Sequence, residues 1–559
     1  MIDPEQNIRK ITPEEYTRLE SQGCEALNWN DVDIQEGLEL GNIRNVKFSG
    51  PVTIYRGVTL RNIGDLGGCS IRENAILENI ASLEFEPEAL HGVGVQVAVL
   101  DETGTRSVPI YPGLSSQIAT LMARDPRWRQ KKLETGLPEF LDSKATAAEI
   151  GEGAVIKNCG QIKNVSIGNE VVIEGASRLV NGTIINNASS GRALTYVGSG
   201  VEAENFILED GRLESKASIL NCYVGQGCVL SHGFSAQDSI FFANSSMENG
   251  EAHALLSGPY SVSMHKGTLL IGCQTSFMNA GSSTNQSNHM YKLGPVHWGL
   301  LERGVKTSSG SYLMLGAKIG AFSLLMGSHK THPDSSEFPF SYLFGDERGA
   351  TVVVPAVMLR SCGLLRDEMK WPTRDKRLKR KLPLHDRITF NVLNPFTVDA
   401  MLKAIPVIEE LLSKPADDDL YVRYKGMKFT RAALERAKNL YSLAIFKYLS
   451  MVLPDHKFPR PDDKEPAEWI DLGGQIMPRE YLNRILQTED ISETEKICDE
   501  AMQRYDELQL QWIASRFGEW WREREHHIQV NAEKFDEMVE EDRQQYLQML
   551  DRETEMLSL

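Results

Sequence analysis

Several signals that mark whole classes of protein are missing from this sequence. The first twenty residues are polar and acidic and lack the basic and apolar regions of a signal peptide. No apolar run approaches the ~18–20 residues that cross a membrane. The eight cysteines are scattered, without a CxxC pair, so they form neither a disulfide framework nor a zinc ribbon. We expect a cytoplasmic protein with reduced thiols.

Basic residues are also fewer than acidic ones. The chain has 77 acidic and 60 basic residues, a net charge of −17, which disfavours binding to nucleic acid or to an anionic membrane. The charge is uneven, because residues 489–559 contain 20 acidic and 8 basic residues, whereas residues 366–387 contain 9 basic and 4 acidic ones. Most of the negative excess therefore belongs to the C-terminal region, and one internal segment is basic.

The common catalytic signatures are missing as well. The sequence has no GxSxG elbow, HExxH motif, Walker loop, kinase signature or dinucleotide fingerprint. Any activity must therefore come from residues that the fold brings together.

The sequence does contain a period of six. Ile150, Ile156 and Ile162 are six residues apart, and after a five-residue step Ile167 and Ile173 continue the series. A helix requires a period of 3.6 and a half-exposed strand a period of two. Six is typical of a chain that coils in short flat strands, about three per turn, with the aliphatic residue pointing inward.

These repeats resemble the hexapeptide-repeat, left-handed parallel β-helix superfamily, over about residues 40–100 and 145–355. The opening EEYTRLESQGCEALNWNDV, followed by IRNVKFSG, is similar to an uncharacterised bacterial family of large hexapeptide-repeat proteins without an assigned activity. The superfamily resemblance implies a homotrimer. In the superfamily's acyltransferases the active site lies between neighbouring β-helices, where a single His acts as general base. Its sugar nucleotidyltransferases carry an N-terminal Rossmann-like domain that this chain lacks.

The expected fold is mainly β with α additions: a left-handed parallel β-helix with a helical insertion and a C-terminal α-helical domain. The sequence divides into an N-terminal helical cap (1–40), first coils and a hairpin (41–113), a helical insertion (114–144), the main β-helix with the candidate site (145–360), a basic connector (361–393) and a C-terminal α-helical domain (394–559).

Helix start signals refine this division. Thr12, Thr397 and Thr430 are expected to begin helices, and Ser492 to Glu495 is expected to form a capping box. The long helix that follows the capping box should break near Gly518 or Val530.

Four of the twelve histidines fall within 51 residues: His289, His297, His329 and His332. Inward positions of a β-helix are aliphatic, so such a polar cluster must point outward, lie in a loop or lie between subunits. By the resemblance, His297 or His289 would be the general base, and Glu302 would orient it. The alternative is that these are interface histidines bonded to backbone carbonyls.

Candidate substrate-binding residues surround the histidines: Asn279, Asn285, Asn288, Lys292, Trp298, Arg303, Lys306, Lys370 and Arg374. The amides would position an acceptor or stabilise an oxyanion, the indole would form a flat wall, and the cations would hold phosphate or carboxylate. For the basic connector, an exposed loop docked against the acidic helices is an equal alternative.

His329 and His332, with Asp334 just beyond, also suggest a metal site completed by a third His from an adjacent coil. Carbonic anhydrases of the superfamily use three His across a subunit interface, but their full motif is missing here. A turn that closes a coil is the favoured alternative. We therefore expect no metal, and acyl-CoA is the candidate donor.

Three functions follow. The first is a cytoplasmic transferase that moves an acyl group onto a sugar nucleotide or phosphorylated sugar. The second is a non-catalytic protein that binds a sugar nucleotide or metabolite, or serves as a scaffold. The third is a metal-dependent hydratase of the β-helix carbonic anhydrase type. The expected partners are a nucleotide or phosphosugar ligand and further copies of the chain, not nucleic acid or a membrane.

Overall fold

The dominant feature of the computed structural model is a sheet that has 36 strands in the described residues, paired mostly in parallel, and is wound into a β-solenoid. The structure describes residues 7–188, 195–287, 297–414, 420–461 and 465–557. Ile54 pairs with Ile71, an offset of 71 − 54 = 17 positions, and Ala203 pairs with Ile219, an offset of 219 − 203 = 16. Three hexapeptides would span about 18 residues, so at least one face of these coils is shorter than six. The predicted fold, a parallel β-helix with C-terminal helices, is confirmed.

The strands of this sheet before the insertion are Ile8–Lys10, Glu25–Ala26, Val32–Gln35, Ile43–Phe48, Val52–Ile54, Thr59–Gly67, Cys69–Ile71 and Ile76–Glu84. The solenoid strands after it are Glu149–Ile150, Val155–Ile167, Val172–Glu174, Arg178–Ile185, Tyr196–Val197, Glu202–Glu209, Arg212–Leu213, Ser218–Val224, Val229–Ser231, Ser235–Phe241, Ser246–Glu248, Glu251–His253, Leu256–Ser257, Val262–Ser263, Leu269–Ile271, Cys273–Thr275, Asn279–Ala280, Asn285–Ser287, Gly299–Leu301, Lys306–Thr307, Tyr312–Met314, Lys318–Ile319, Leu324–Met326, Ser328–His329 and Tyr342–Gly345. Thr351–Val354, Tyr421–Tyr424 and Met427–Thr430 extend the sheet.

The core lies inside the coils as stacked columns of buried aliphatic side chains. One column consists of Leu60, Leu77, Ile156, Ile173, Val197, Leu213, Leu230 and Met247. Another consists of Ile54, Ile71, Ile150, Ile167, Ile184, Leu208, Val224 and Phe241. No single coil encloses a core, so this burial requires stacking.

The columns change character in the middle of the solenoid. Their buried positions there are small or polar: Ser257, Ser263, Thr275, Ala280 and Thr307. In a third column the buried Gln286 stacks on Leu313. The amide of Gln286 is fully buried, and neither its oxygen nor its nitrogen has a hydrogen-bond partner in the described part of the chain. Burial of apolar area therefore contributes less to these coils than to their neighbours.

Asparagine ladders stabilise the corners of the coils. Asn181, Asn205 and Asn221 occupy equivalent corner positions at positive φ, a conformation that Asn tolerates better than most residues. The amide nitrogen of Asn181 donates to Asn205 Oδ1 at 2.6 Å, and that of Asn205 donates to Asn221 Oδ1 at 3.0 Å. Asn62 donates to Asn79 in the same way at another corner.

A short antiparallel hairpin, Gln96–Val97 and Val108–Pro109, precedes the helical insertion. Within the described ranges the α-helices are Pro13–Ser21, Ser116–Arg124, Pro126–Thr135, Leu137–Asp142, Cys362–Arg374, Lys376–Arg380, Pro395–Ser413, Arg431–Val452, Arg479–Gln487, Ile491–Gln503, Tyr505–Arg516, Glu519–Arg522 and Ile528–Leu557. The 3-10 helices there are Trp29–Asp31, Leu40–Asn42, Val357–Arg360, Pro454–His456 and Glu525–His527. A second hairpin, Trp469–Leu472 and Gln475–Pro478, is called the covering hairpin below. In the described ranges no helix has the length and apolarity to span a bilayer.

Two of the expected helix starts differ in detail. Thr12 and Thr430 cap their helices as predicted. At the helix expected from Thr397, Asn394 is the cap and Thr397 is its capping-box partner. The Ser492 capping box is wrong, because Asp490 accepts the hydrogen bond from Ser492 N and the helix begins at Ile491. All eight cysteines are free thiols, and Cys362 is the one that is not fully buried.

We predict that Asn205→Ala lowers the free energy of unfolding by about 2–3 kcal/mol, because alanine is strained at this φ of 52° and removes two amide hydrogen bonds. Asn205→Gly should lower the free energy of unfolding by a smaller amount, since glycine accepts positive φ. The exposed Asn279→Ala is the control. Urea unfolding measures all three, and equal stability of wild type and Asn205→Ala would contradict the ladder's role.

Candidate functional site

An arginine-lined cavity lies where the solenoid meets the helical insertion and the covering hairpin. It has a volume of about 160 Å³. The solenoid contributes Gln274 and Thr275 from one strand and Glu302 and Arg303 from the corner after strand Gly299–Leu301. The insertion contributes Arg124, and residues 468–479 close the other side.

Arg303 is a buried cation at this corner, with 1% of its surface exposed. One terminal nitrogen, Nη2, donates to the carbonyl of Thr389, and the other, Nη1, lies 3.8 Å from Asp471 Oδ2. The guanidinium also lies over the ring of Phe277, 4.9 Å from its centroid. Burial lowers the pKa of the guanidinium and Asp471 opposes this shift, so the charge is held in place by Asp471 and Phe277.

Glu302 is a carboxyl group that burial keeps protonated. Its removal from water raises its pKa to about 8, and the negative charges of Asp471 and Asp334 add to this effect. Its Oε2 accepts a hydrogen bond of 3.0 Å from the backbone N–H of Ala321, which partly opposes the shift. At neutral pH the group is therefore a neutral acid with a proton to donate.

Two of the remaining charges of the lining form an ion pair, and Asp471 binds a backbone N–H. The guanidinium of Arg479 binds both carboxylate oxygens of Glu468, with Nη2 2.8 Å from Oε1. Asp471 accepts from Gly474 N at 2.8 Å. With Glu302 neutral, three arginines face two carboxylates, and the lining carries one excess positive charge.

Several buried polar groups of the lining have no hydrogen-bond partner among the described residues. They are Nε and Nη1 of Arg303, Nε1 of Trp469 and Oε1 of Gln274, on side chains that are 1%, 3% and 8% exposed respectively. Leaving a buried donor or acceptor unpaired costs about 1–3 kcal/mol. Three of the four atoms are N–H donors, so the cavity is suited to a group that accepts hydrogen bonds and carries negative charge.

The structure separates the predicted site residues into several places. Glu302 and Arg303 both line the cavity. His297 and Trp298 precede the same strand, where His297 Nε2 is buried without a described hydrogen-bond partner and the Arg106 guanidinium lies 5.3 Å from the Trp298 ring centroid. Neither residue is part of the cavity lining.

The predicted amide and lysine ligands also lie outside the cavity lining. Asn279 is exposed on its strand, and Asn285 has a buried, unpaired Oδ1 among the described atoms. Lys306 Nζ forms an ion pair of 2.6 Å with Asp367 of the basic connector. Asn288, His289 and Lys292 lie outside the described residues.

The basic connector forms two helices, and the first of them, Cys362–Arg374, carries Lys370 and the exposed Arg374. It docks on the solenoid through Trp371, whose ring centroid is 4.7 Å from that of Phe277. Its Arg387 pairs with Asp499 of a C-terminal helix at 2.8 Å. The connector thus joins two parts of the fold.

The two histidines of the predicted metal site bond to different partners. His329 Nδ1 lies 3.0 Å from Thr351 Oγ1 inside the solenoid, where burial lowers the pKa of the imidazole to about 4. His332 Nδ1 lies 2.7 Å from the carbonyl of Leu315. In the part of the chain that the structure describes, no three His, Cys, Asp or Glu side chains converge as a ligand set.

Sequence reasoning missed the rest of the cavity lining, including Arg124, Gln274, Glu468, Trp469, Asp471 and Arg479. They come from segments far apart in the sequence, so no local spacing marks them. The signal that was present is DLGG, residues 471–474, where two consecutive glycines follow an acid. Gly473 has φ of +59°, and a Cβ there would lie 2.5 Å from the Ser116 carbonyl.

Comparison with known proteins gives a family but no activity. An uncharacterized protein of Treponema pallidum (strain Nichols) is 24% identical over an alignment that covers 87% of this chain and 78% of that protein. A model described as domain of unknown function DUF6819 matches residues 456–554. A model described as domain of unknown function DUF4954 matches residues 53–412, which is 412 − 53 + 1 = 360 of 559 residues. Since this match covers more than half of the chain, the protein belongs to the DUF4954 family.

Proposed function

We propose that this protein binds a small anionic molecule, a carboxylate or a phosphate, in the arginine-lined cavity. The observation that carries the proposal is the set of unpaired donors on Arg303 and Trp469 beside the neutral carboxyl of Glu302. Hydrogen bonds from a guanidinium to an anion are roughly twice as strong as neutral ones. One anionic group would satisfy these donors and balance the excess positive charge.

Glu302 has a defined part in this proposal. While protonated it donates its O–H to an anion, and Ala321 N fixes the other oxygen. Once ionised it would repel the same ligand. Binding should therefore be strong below the Glu302 pKa of about 8 and weaken above it.

A second candidate function is acid–base catalysis on the bound anion. A carboxyl group with a pKa of about 8 is suited to transfer a proton near neutral pH. In this version Glu302 takes the general acid–base role expected of His297, since Glu302 lines the cavity and His297 does not. Acyl transfer onto a sugar nucleotide or phosphosugar, with acyl-CoA as donor, remains a proposal of this second kind.

Other parts of the sequence interpretation also remain proposals. These are the homotrimer, the cytoplasmic location, the scaffold role, the metal-dependent hydratase, and the membership of the left-handed hexapeptide-repeat superfamily. The parallel solenoid is compatible with each of them. None of them is needed for the cavity to bind an anion.

We predict that Arg303→Met weakens binding of inorganic phosphate or acetate by at least about tenfold, because it removes the charged donor. Isothermal titration calorimetry measures the affinity. Trp469→Phe replaces the indole by a smaller phenyl ring without an N–H, so it should weaken binding less than loss of the Arg303 charge does. Arg374→Met removes an exposed arginine outside the cavity and is the matched control. If Arg303→Met and Trp469→Phe bind as well as wild type, the proposed site is wrong.

A second prediction concerns the protonation of Glu302. The affinity of wild type for acetate should fall as the pH rises from about 7 to 9, through the Glu302 pKa of about 8. Glu302→Gln keeps a neutral donor that cannot ionise, so its affinity should stay nearly constant over this range. A Glu302→Gln profile that falls as steeply as that of wild type would assign the pH dependence to another group.

The same carboxyl affects stability without any ligand. Its pKa is about 8 in the folded chain and near 4.5 when unfolded, so between these values the folded state retains a proton that the unfolded state has lost. Its contribution to the free energy of unfolding therefore falls as the pH rises from about 4.5 to 8. Glu302→Gln should flatten this dependence, as measured by thermal midpoints at pH 5.5, 6.5 and 7.5. Equal slopes in the two proteins would contradict a raised pKa.

A further inference from the structure

We infer that the ligand of the arginine-lined cavity is an amphiphilic acid whose anionic head lies at Arg303 and whose short apolar chain extends between two helices. This deepens the proposed function and rests on it. The observation behind it is a second cavity, of about 150 Å³, directly beside the first. It is called the apolar cavity below.

The two cavities adjoin at a common wall. Arg124, Ile470, Asp471 and Arg479 line both of them. Glu302 and Arg303, which would bind the head, line only the first, as does Gln274. A molecule that crosses this wall would therefore have its two ends in different surroundings.

The apolar cavity has a lining of a different kind. Leu121 of the insertion helix, Leu472 of the covering hairpin, and Leu482 and Leu486 of helix Arg479–Gln487 supply its aliphatic surface. Leu121 and Leu472 are buried, while Leu482 and Leu486 are only partly buried against the core. When a ligand's methylene groups displace water from aliphatic surface of this kind, the free energy of binding becomes more favourable.

The volume limits the length of the chain. At about 30 Å³ for a group the size of a water molecule, a cavity of about 150 Å³ holds on the order of five methylene groups. Besides Arg124, Asp471 and Arg479 of the common wall, its polar lining residues are Thr120 and Asp125, and the other five are Leu or Ile. The ligand class that fits both cavities is thus a short-chain carboxylic acid, or a phosphate ester of similar apolar length.

The test is a chain-length series measured by calorimetry on the full-length protein: acetate, butanoate, hexanoate and octanoate, with inorganic phosphate and butyl phosphate as the phosphate arm. Affinity should rise about fourfold per methylene up to hexanoate and then level off, because further groups would lie outside the cavity. A steeper gain for butyl phosphate over phosphate than for hexanoate over acetate, each a difference of four carbons, would assign the head to a phosphate ester. The opposite would assign it to a carboxylate.

Two variants separate head from chain. Leu482→Trp fills the apolar cavity, so it should lower the affinity for hexanoate at least tenfold. The affinity for acetate should stay within about twofold of the wild-type value. Leu220→Trp, at a partly exposed leucine on the solenoid, is the matched control for adding an indole. Arg303→Met should lower the affinity for every ligand of the series by a similar factor. Because Leu482→Trp is expected to bind acetate as wild type does, acetate binding also serves as the test that this variant is folded.

The outcomes distinguish the two proposals. If all acids bind with equal affinity and Leu482→Trp changes nothing, the amphiphilic ligand is wrong while anion binding stands. If none of the acids and neither phosphate binds, the proposed function fails, and this inference fails with it. Chain-length dependence that Leu482→Trp does not reduce would also overturn the inference, since the chain would then lie elsewhere.

Discussion

The structure depends on the stacking of each coil on the next. The offset is 16 to 18 residues in the regular coils and larger where a loop or the insertion leaves the coil, as at 203 − 179 = 24 and 156 − 77 = 79. Parallel backbone pairing and inward stacking of aliphatic side chains require the same register, so either one fixes the other. Once Ile156 lies on Leu77 and under Ile173, every other residue of the coil has a defined direction. The asparagine corners and the outward position of Arg303 follow from that register.

The cavity depends on this register and on a second constraint. The covering hairpin is held over the solenoid by the insertion: Ser116 Oγ donates to the Gly473 carbonyl at 2.7 Å, and Gln117 Nε2 donates to that of Leu472 at 3.2 Å. The connector adds the Thr389 N–H, which donates to the Gly474 carbonyl at 3.0 Å. The insertion therefore has a positioning role in addition to lining the cavity through Arg124.

The features that could be predicted from the sequence are those with a local or periodic cause. The spacing of Ile150, Ile156 and Ile162 shows the coil directly, and Thr12 and Thr430 carry the local signals of helix starts. Glu302 and Arg303 could be predicted as site residues because charged side chains are unusual in a repeat whose inward positions are aliphatic.

Their partners could not be predicted in the same way. Asp471, Arg479 and Arg124 reach the cavity through tertiary packing of segments that lie more than 100 residues from Glu302 and Arg303 in the sequence. No local sequence pattern predicts such a contact. Ser492 shows the same limit at short range, since Asp490 competes for the same helix start and forms the cap.

The coils that carry the cavity are also those with the least apolar interior positions. Thr275 and Gln286 point into the core where other coils have Leu, Ile or Val. In a solenoid, stability is close to a sum of terms for each coil and its neighbours, so a coil with fewer buried methyl groups is a weak point. External contacts offset this weakness: Trp371 packs on Phe277, and Arg303 bonds to the Thr389 carbonyl. A ligand between Arg303 and the covering hairpin would reinforce the same contacts. Its binding free energy would therefore stabilise the coils that have the fewest buried methyl groups.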